Sequence, residues 1–196
     1  MAHNGHVNVN GDMKALLEKL TLDEKISLLS AKNIWETAEI ERVGIPSLKV
    51  SKSSKRSRLV LIEEQVTDGP NGARGGEFFD GTTAACFPAC VSLAATFNRS
   101  LSRQVGIALG QEAITKGAYV VLGPTVCCHR SPLGGRNFEA FSEDPFLSGA
   151  LASEYVKGLQ EERVAATVKH FLANEQDTRR FSVDQTISER ALRYVL

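Results

Sequence analysis

Along the chain, apolar positions recur with two periods. Helical spacing marks "DMKALLEKL" and, after it, "LTLDEKISLLS", where Thr21 and Glu24 form a capping box that predicts the start of a short helix. The segment "LSRQVGIALGQEAITKG" places Leu101, Val105, Ala108 and Leu109 on one helical face, with Gly117 positioned to end it. A further helix is predicted after Asp144, with Pro145 at its first position and Leu147, Leu151, Tyr155 and Leu159 along one side. Thr186 and Glu189 predict a capped last helix over "SERALRYVL".

Between these helices lie short continuous apolar runs. "IPSLKV", "AYVVL" (118–122) and "VAATV" (164–168) read as buried strands, and "ACVSLAATF" is another apolar candidate. Strands that are apolar throughout and alternate with helices predict a parallel sheet covered by helices, an α/β fold. The polar clusters then fall in one place. "TDGPNGARGG" follows "IPSLKV" once the stretch between them is set aside, "GPTVCCHRSPLGGR" and "KHFLANEQDTRR" follow their strands directly, and the carboxyl edge of a parallel sheet is where such folds bind ligands.

Composition narrows the function classes. The 196 residues are 42% hydrophobic and 23% charged, and 23 basic residues balance 23 acidic ones. No net charge draws the chain to nucleic acid or to an anionic membrane, so neither is expected as a partner. No apolar run approaches the ~20 residues of a membrane span. The N-terminal "MAHNGHVNVNGDMK" has no apolar stretch of a signal peptide, so a cytoplasmic location is expected, with a secreted parent left open. Asn98-Arg99-Ser100 matches a glycosylation sequon, which carries weight only in an exported chain.

Each cluster has a plain reading beside a chemical one. Asp68 and Arg74 lie in a glycine-rich stretch that is either a surface turn or a ligand loop, and neither common phosphate-loop pattern is present. Cys86, Cys90, Cys127 and Cys128 lack the paired spacing of structural zinc sites and read as free thiols, so no metal is expected. Lys169 and His170 are adjacent, and both side chains reach one pocket only if the strand ends or kinks there. Glu175, Asp177 and Asp184 are an acid/base pair or solvated loop charges.

Taken in order, "DGPNGARG", "CFPACVSLAATF", "LGPTVCCHRSPLGGRNFEAFSEDP" and "VAATVKHFLANEQDTRRFSVD" resemble the N-terminal domain of glycoside hydrolase family 3, as found in fungal β-glucosidases. The resemblance runs from about Met13 to about Arg193. It implies a (β/α)8 TIM-barrel-like domain of which about the first half is present, no cofactor, and a small-molecule β-glucoside or oligosaccharide as ligand. By the same resemblance Asp68, Arg74, Arg136, Lys169 and His170 bind the hydroxyls of the terminal sugar. The oligomeric state is left open.

The resemblance also sets an expectation of incompleteness. The family's nucleophile lies in an S-D-W motif beyond K-H-F, and its acid/base residue comes from a later domain; neither is expected within these 196 residues. The parent activity implied is retaining release of terminal β-D-glucose, and the alternative is a non-catalytic fragment that binds sugar weakly. The sixteen residues Val50 to Gln65 interrupt a stretch that runs straight through in relatives. They read as a solvated loop, a basic localisation patch, or a translated intron, since Val50-Ser51 can be encoded by GTAAGT and Gln65 by CAG.

Overall fold

The computed structural model describes residues 9–33, 36–50, 65–75 and 83–194. The chain divides into two compact units, Met1–Lys49 and Val50–Leu196. Most of the segment read as an insertion lies outside the described residues; only its ends, Val50 and Gln65, are described.

In the first unit, α1 (Val9–Lys19) and α2 (Leu22–Leu29) precede three short strands, β1 (Ala31–Asn33), β2 (Glu36–Thr37) and β3 (Lys49–Val50), paired antiparallel in that order. The predicted capping box forms: the Thr21 hydroxyl accepts from the Glu24 amide, and the Glu24 carboxylate accepts from the Thr21 amide. The buried strand expected over "IPSLKV" does not form as such. Only its last two residues are strand, because Pro46 has no amide to donate and Thr37 takes up its neighbours. The Thr37 hydroxyl accepts from the Leu48 amide at 2.8 Å, and the Ser47 hydroxyl donates to the Thr37 carbonyl at 2.8 Å.

The second unit carries the α/β pattern. Strands β4 (Gln65–Asp68), β5 (Ala118–Leu122) and β6 (Ala165–Ala166) run parallel, with Thr67 opposite Val121 and Val121 opposite Ala166. Helices α3 (Cys90–Ala94) and α4 (Arg99–Thr115) connect β4 to β5, α5 (Pro145–Glu161) connects β5 to β6, and α6 (Glu189–Tyr194) follows. The parallel strand before the D-G-P turn is thus β4, supplied by the buried Val66 and Thr67. The expected strand over 164–168 is two residues long, and of its apolar side chains only Val164 is fully buried while Val168 is 51% exposed. Among the described residues β6 is paired on one side only, which leaves its other side chains uncovered.

Local signals set most helix ends. Asn98, the first residue of the sequon, caps α4 by accepting from the Leu101 amide, and Gly117 takes the left-handed conformation beyond its C-terminus at φ 74°. Asp144 caps α5 with Pro145 in the first turn. For α6 the cap moves: Ser188, not Thr186, accepts from the Ala191 amide at 3.2 Å, so the helix begins at Glu189.

The core lies where α4 and α5 meet the sheet. Leu109, Leu151, Leu159 and Val121 are fully buried, and Phe141 meets Tyr155 edge to face with ring centres 6.4 Å apart. The two helices touch through glycines. A β-carbon on Gly106 would lie 2.3 Å from the Tyr155 carbonyl oxygen, and one on Gly158 would lie 2.3 Å from that of Arg103. The Ser102 hydroxyl crosses this contact to donate to the Leu151 carbonyl at 2.8 Å.

Gly158→Ala is expected to destabilise the chain by about 1–3 kcal/mol through overpacking, although alanine is the better helix former by ~1 kcal/mol. The measurement is the urea midpoint followed by circular dichroism; an unchanged or raised midpoint would contradict backbone-to-backbone packing of α4 on α5.

Candidate active site

Asp68 is the last residue of β4, and the turn beyond it is built on two glycines. Gly69 and Gly72 have φ of 126° and 152°. A β-carbon on Gly69 would fall 1.7 Å from the Gly72 carbonyl oxygen, and one on Gly72 would fall 2.0 Å from that of Ala85. The chain therefore doubles back. The Arg74 amide donates to the Asp68 carbonyl at 3.0 Å, and the Arg74 guanidinium pairs with the Asp68 carboxylate.

Three residues anchor this loop from the helices and their ends. The buried Tyr155 hydroxyl on α5 donates to the Pro70 carbonyl at 2.6 Å. Glu112 on α4 accepts from the amides of Ala73 (2.8 Å) and Ala85 (2.6 Å). Lys116, one turn on, donates to Glu112 and to the Ala73 carbonyl. Burial opposes ionisation of Glu112, but the Lys116 ammonium and the two amides outweigh it and hold its carboxyl below the usual range.

The other two clusters meet through an interrupted parallel pairing. β5 stops at Leu122, the Gly123–Pro124 peptide is cis, and pairing resumes when Thr125 bridges to Lys169. The Lys169 amide donates to the Pro124 carbonyl at 3.0 Å, and its own carbonyl accepts from the Val126 amide at 2.8 Å. This register brings the Lys169 ammonium within 2.7 Å of Asp68 Oδ1. Lys169 and His170 are joined by a cis peptide, the extended pairing ends with Lys169, and both side chains reach the same site.

His170 sits between two partners. Its Nδ1 is 3.5 Å from Cys127 Sγ, and its Nε2 is 3.3 Å from an Nη of Arg136. Arg136 precedes a single 3₁₀ turn (Asn137–Glu139), and its Nε and the same Nη that approaches His170 donate to the Glu139 carboxylate at 3.2 and 2.7 Å. All five residues expected to bind sugar are thus brought together: Asp68, Arg74 and Lys169 as one ionic cluster, Arg136 and His170 as a second, joined through the Lys169–His170 peptide.

The electrostatics follow from this crowding. Burial opposes ionisation of Asp68, yet the Lys169 hydrogen bond and the charges of Lys169 and Arg74 prevail and hold its carboxyl below the usual range. Burial, together with the Arg136 and Lys169 charges, pushes His170 down. Beside His170 lies a cavity of about 20 Å³ lined by residues including Thr125, Cys127, Arg136 and Glu139, room for one water. Among the described residues the Thr125 hydroxyl is the one buried side-chain polar atom without a hydrogen-bond partner.

The remaining candidates separate. The four cysteines are free thiols, and among the described residues no three His, Cys, Asp or Glu side chains are grouped to hold a metal ion. Glu175 lines the cavity, whereas Asp177 faces Arg180 at 3.5 Å and Asp184 is exposed. Glu112 and Tyr155 were not legible as site residues: Tyr155 reads as one more apolar position on α5, and the only hint at Glu112 is its spacing to Lys116.

Parallel β/α units with charged side chains gathered at the carboxyl ends of three strands define a TIM-barrel-like α/β domain with a polar ligand site. The chain belongs to glycosyl hydrolase family 3, whose N-terminal domain profile matches residues 7–191. It is 54% identical over 183 residues to β-glucosidase B of Emericella nidulans, covering 93% of this chain and 20% of that protein. It is 50% identical over 184 residues to a β-glucosidase of Kluyveromyces marxianus, covering 94% and 20%. The crystal structure of the Kluyveromyces marxianus enzyme in complex with glucose superposes with a TM-score of 0.75 at 49% identity, again over 94% of this chain and 20% of that one. β-Glucosidase 3B of Thermotoga neapolitana in complex with glucose superposes with a TM-score of 0.70 at 38% identity, over 94% and 26%. The chain spans about a fifth of the length of the curated relatives it matches.

Because the folded state lowers the Asp68 pKa, the stabilisation it gives is complete above the ordinary aspartate value of about 4 and is lost as pH falls below it. Asp68→Asn is expected to cost about 1–3 kcal/mol at neutral pH, by leaving two cations without their shared carboxylate. It is also expected to flatten the loss of stability below pH 4. Urea midpoints of both proteins between pH 2 and 7 check this; parallel curves would exclude the ion cluster as a stabilising element.

Proposed function

We propose that Asp68, Arg74, Arg136, Lys169 and His170 grip the terminal glucosyl unit of a β-glucoside, and that the chain serves a β-glucosidase that releases terminal non-reducing β-D-glucose from cellulose-derived oligosaccharides. The observation that carries this reading is the convergence of five charged or polar side chains from three loops, with Lys169 and Arg74 both on the Asp68 carboxylate and Arg136 against His170. A pyranose presents neutral hydroxyls in fixed directions, and charge-assisted hydrogen bonds are the strong way to hold them. Contacts of this kind can tighten as the ring flattens toward an oxocarbenium-like transition state, so they contribute to rate as well as binding. The relatives solved with glucose support the substrate class.

The bond-breaking groups belong elsewhere in this reading. A retaining mechanism needs a carboxylate nucleophile and a protonated acid roughly 5 Å apart. Asp68 and Glu139, two of the carboxylates at this rim, are committed to other work. Asp68 is held ionised by two cations, so it accepts hydrogen bonds and is no general acid, and Glu139 is paired with Arg136. The nucleophile and the acid/base residue are therefore assigned to the part of the parent enzyme beyond these residues, and the 196-residue chain acts alone as at most a weak sugar binder. The sixteen residues from Val50 to Gln65 fit this reading as a translated intron; a spliced message that keeps them as the main product would overturn that part.

Titration of the purified chain with glucose, followed by nuclear magnetic resonance, is expected to shift resonances of the β5–α5 loop and of the residues after β6. Lys169→Met is expected to weaken that binding about 10-fold or more, the loss of one charge-assisted hydrogen bond. A chromogenic β-glucoside is expected to show no turnover above background. Robust hydrolysis by this chain would place a working carboxylate pair within it and defeat the assignment.

A further inference from the structure

The two neighbours of His170 determine where its ring proton lies. A guanidinium carries five N–H donors and no acceptor. The 3.3 Å approach of Arg136 Nη to His170 Nε2 is therefore attractive only when Nε2 bears a lone pair. The same contact excludes the imidazolium, in which both ring nitrogens donate. The proton of the neutral ring is then on Nδ1, facing Cys127 Sγ at 3.5 Å, and sulfur is a weak acceptor. Burial and the Arg136 and Lys169 charges, which push the His170 pKa down against the opposing pull of Glu139 and Asp68, agree with a neutral ring.

We propose that Cys127 is a positioning residue that, as the acceptor for Nδ1–H, supports the His170 tautomer selected by Arg136, so that Arg136 and His170 Nε2 form a donor–acceptor fork for a single sugar hydroxyl. Arg136 donates to the hydroxyl oxygen while Nε2 accepts the hydroxyl proton. A hydroxyl is both donor and acceptor, so it satisfies both arms at once and displaces nothing but their mutual contact. The opposite tautomer would turn both arms into donors and leave the hydroxyl proton without a partner. Glu139 holds the Arg136 arm by accepting from its Nε and from the same Nη, and Cys127 steadies the ring through Nδ1. This role rests on the sugar-binding reading above, whereas the tautomer itself does not.

Long-range ¹H–¹⁵N correlation spectra of the imidazole rings in the 196-residue chain test it, with His170 assigned by the signals lost in His170→Gln. The expected result at neutral pH is a protonated Nδ1 and a lone-pair Nε2. Cys127→Ser, which keeps an acceptor, is expected to retain this pattern and the glucose affinity. Cys127→Val, which has none, is expected to move the ring toward the other tautomer and to weaken glucose binding about 2- to 10-fold. A proton on Nε2 in the unaltered chain overturns the proposal without any variant having to fold. A tautomer or affinity that Cys127→Val leaves unchanged overturns the positioning role. Failure of the unaltered chain to bind glucose removes the fork's purpose and the sugar-binding reading with it, while the ring spectra still decide the tautomer.

Discussion

The second unit depends on one carboxylate. Asp68 ends the first parallel strand and holds Lys169, from the chain just past the third, together with Arg74, from its own turn. Two cations brought this close would repel each other in a partly buried place, and a shared anion between them makes the arrangement favourable. It ties the turn after the first strand to the chain just past the third. The sheet register makes the convergence possible, because Asp68 lies opposite Leu122, and Lys169 pairs beyond the break that follows Leu122.

Around this centre the fold divides its labour. Helices α4 and α5 pack so closely that only glycine fits at their crossing, and the same two helices present the polar groups that pin the first loop, Glu112 from one and Tyr155 from the other. The apolar core and the site are thus the two sides of one pair of helices. Charged groups at the rim are paired within it: Asp68 with Lys169 and Arg74, Glu139 with Arg136.

The five site residues were grouped by the family resemblance, whereas the α/β class, helices α2 and α5 with their caps, helix α4 with Gly117 at its end, and the placing of polar clusters after strands were legible in the residues themselves. Each rests on a local rule: a capping side chain, a helical stripe, a polar cluster after an apolar run. What was not legible depends on partners far along the chain. "IPSLKV" has the composition of a buried strand, yet Pro46 and the bonds to Thr37 reduce it to two residues. The run at 164–168 is apolar enough to be covered, but burial is decided by what packs on it, and β6 is paired on one side. The clamp of Glu112 on two amides, 39 and 27 positions away, has no signature in spacing at all.

That clamp has a consequence for how such a surface can vary. Ala73 and Ala85 are tethered to the same carboxylate, so the ends of the connection between them are fixed whatever its length. Closing a longer loop between fixed points costs only about 0.6 kcal/mol per doubling. Arg74, next to the first tether and tied back to the Asp68 carbonyl, therefore keeps its place whatever joins the two alanines.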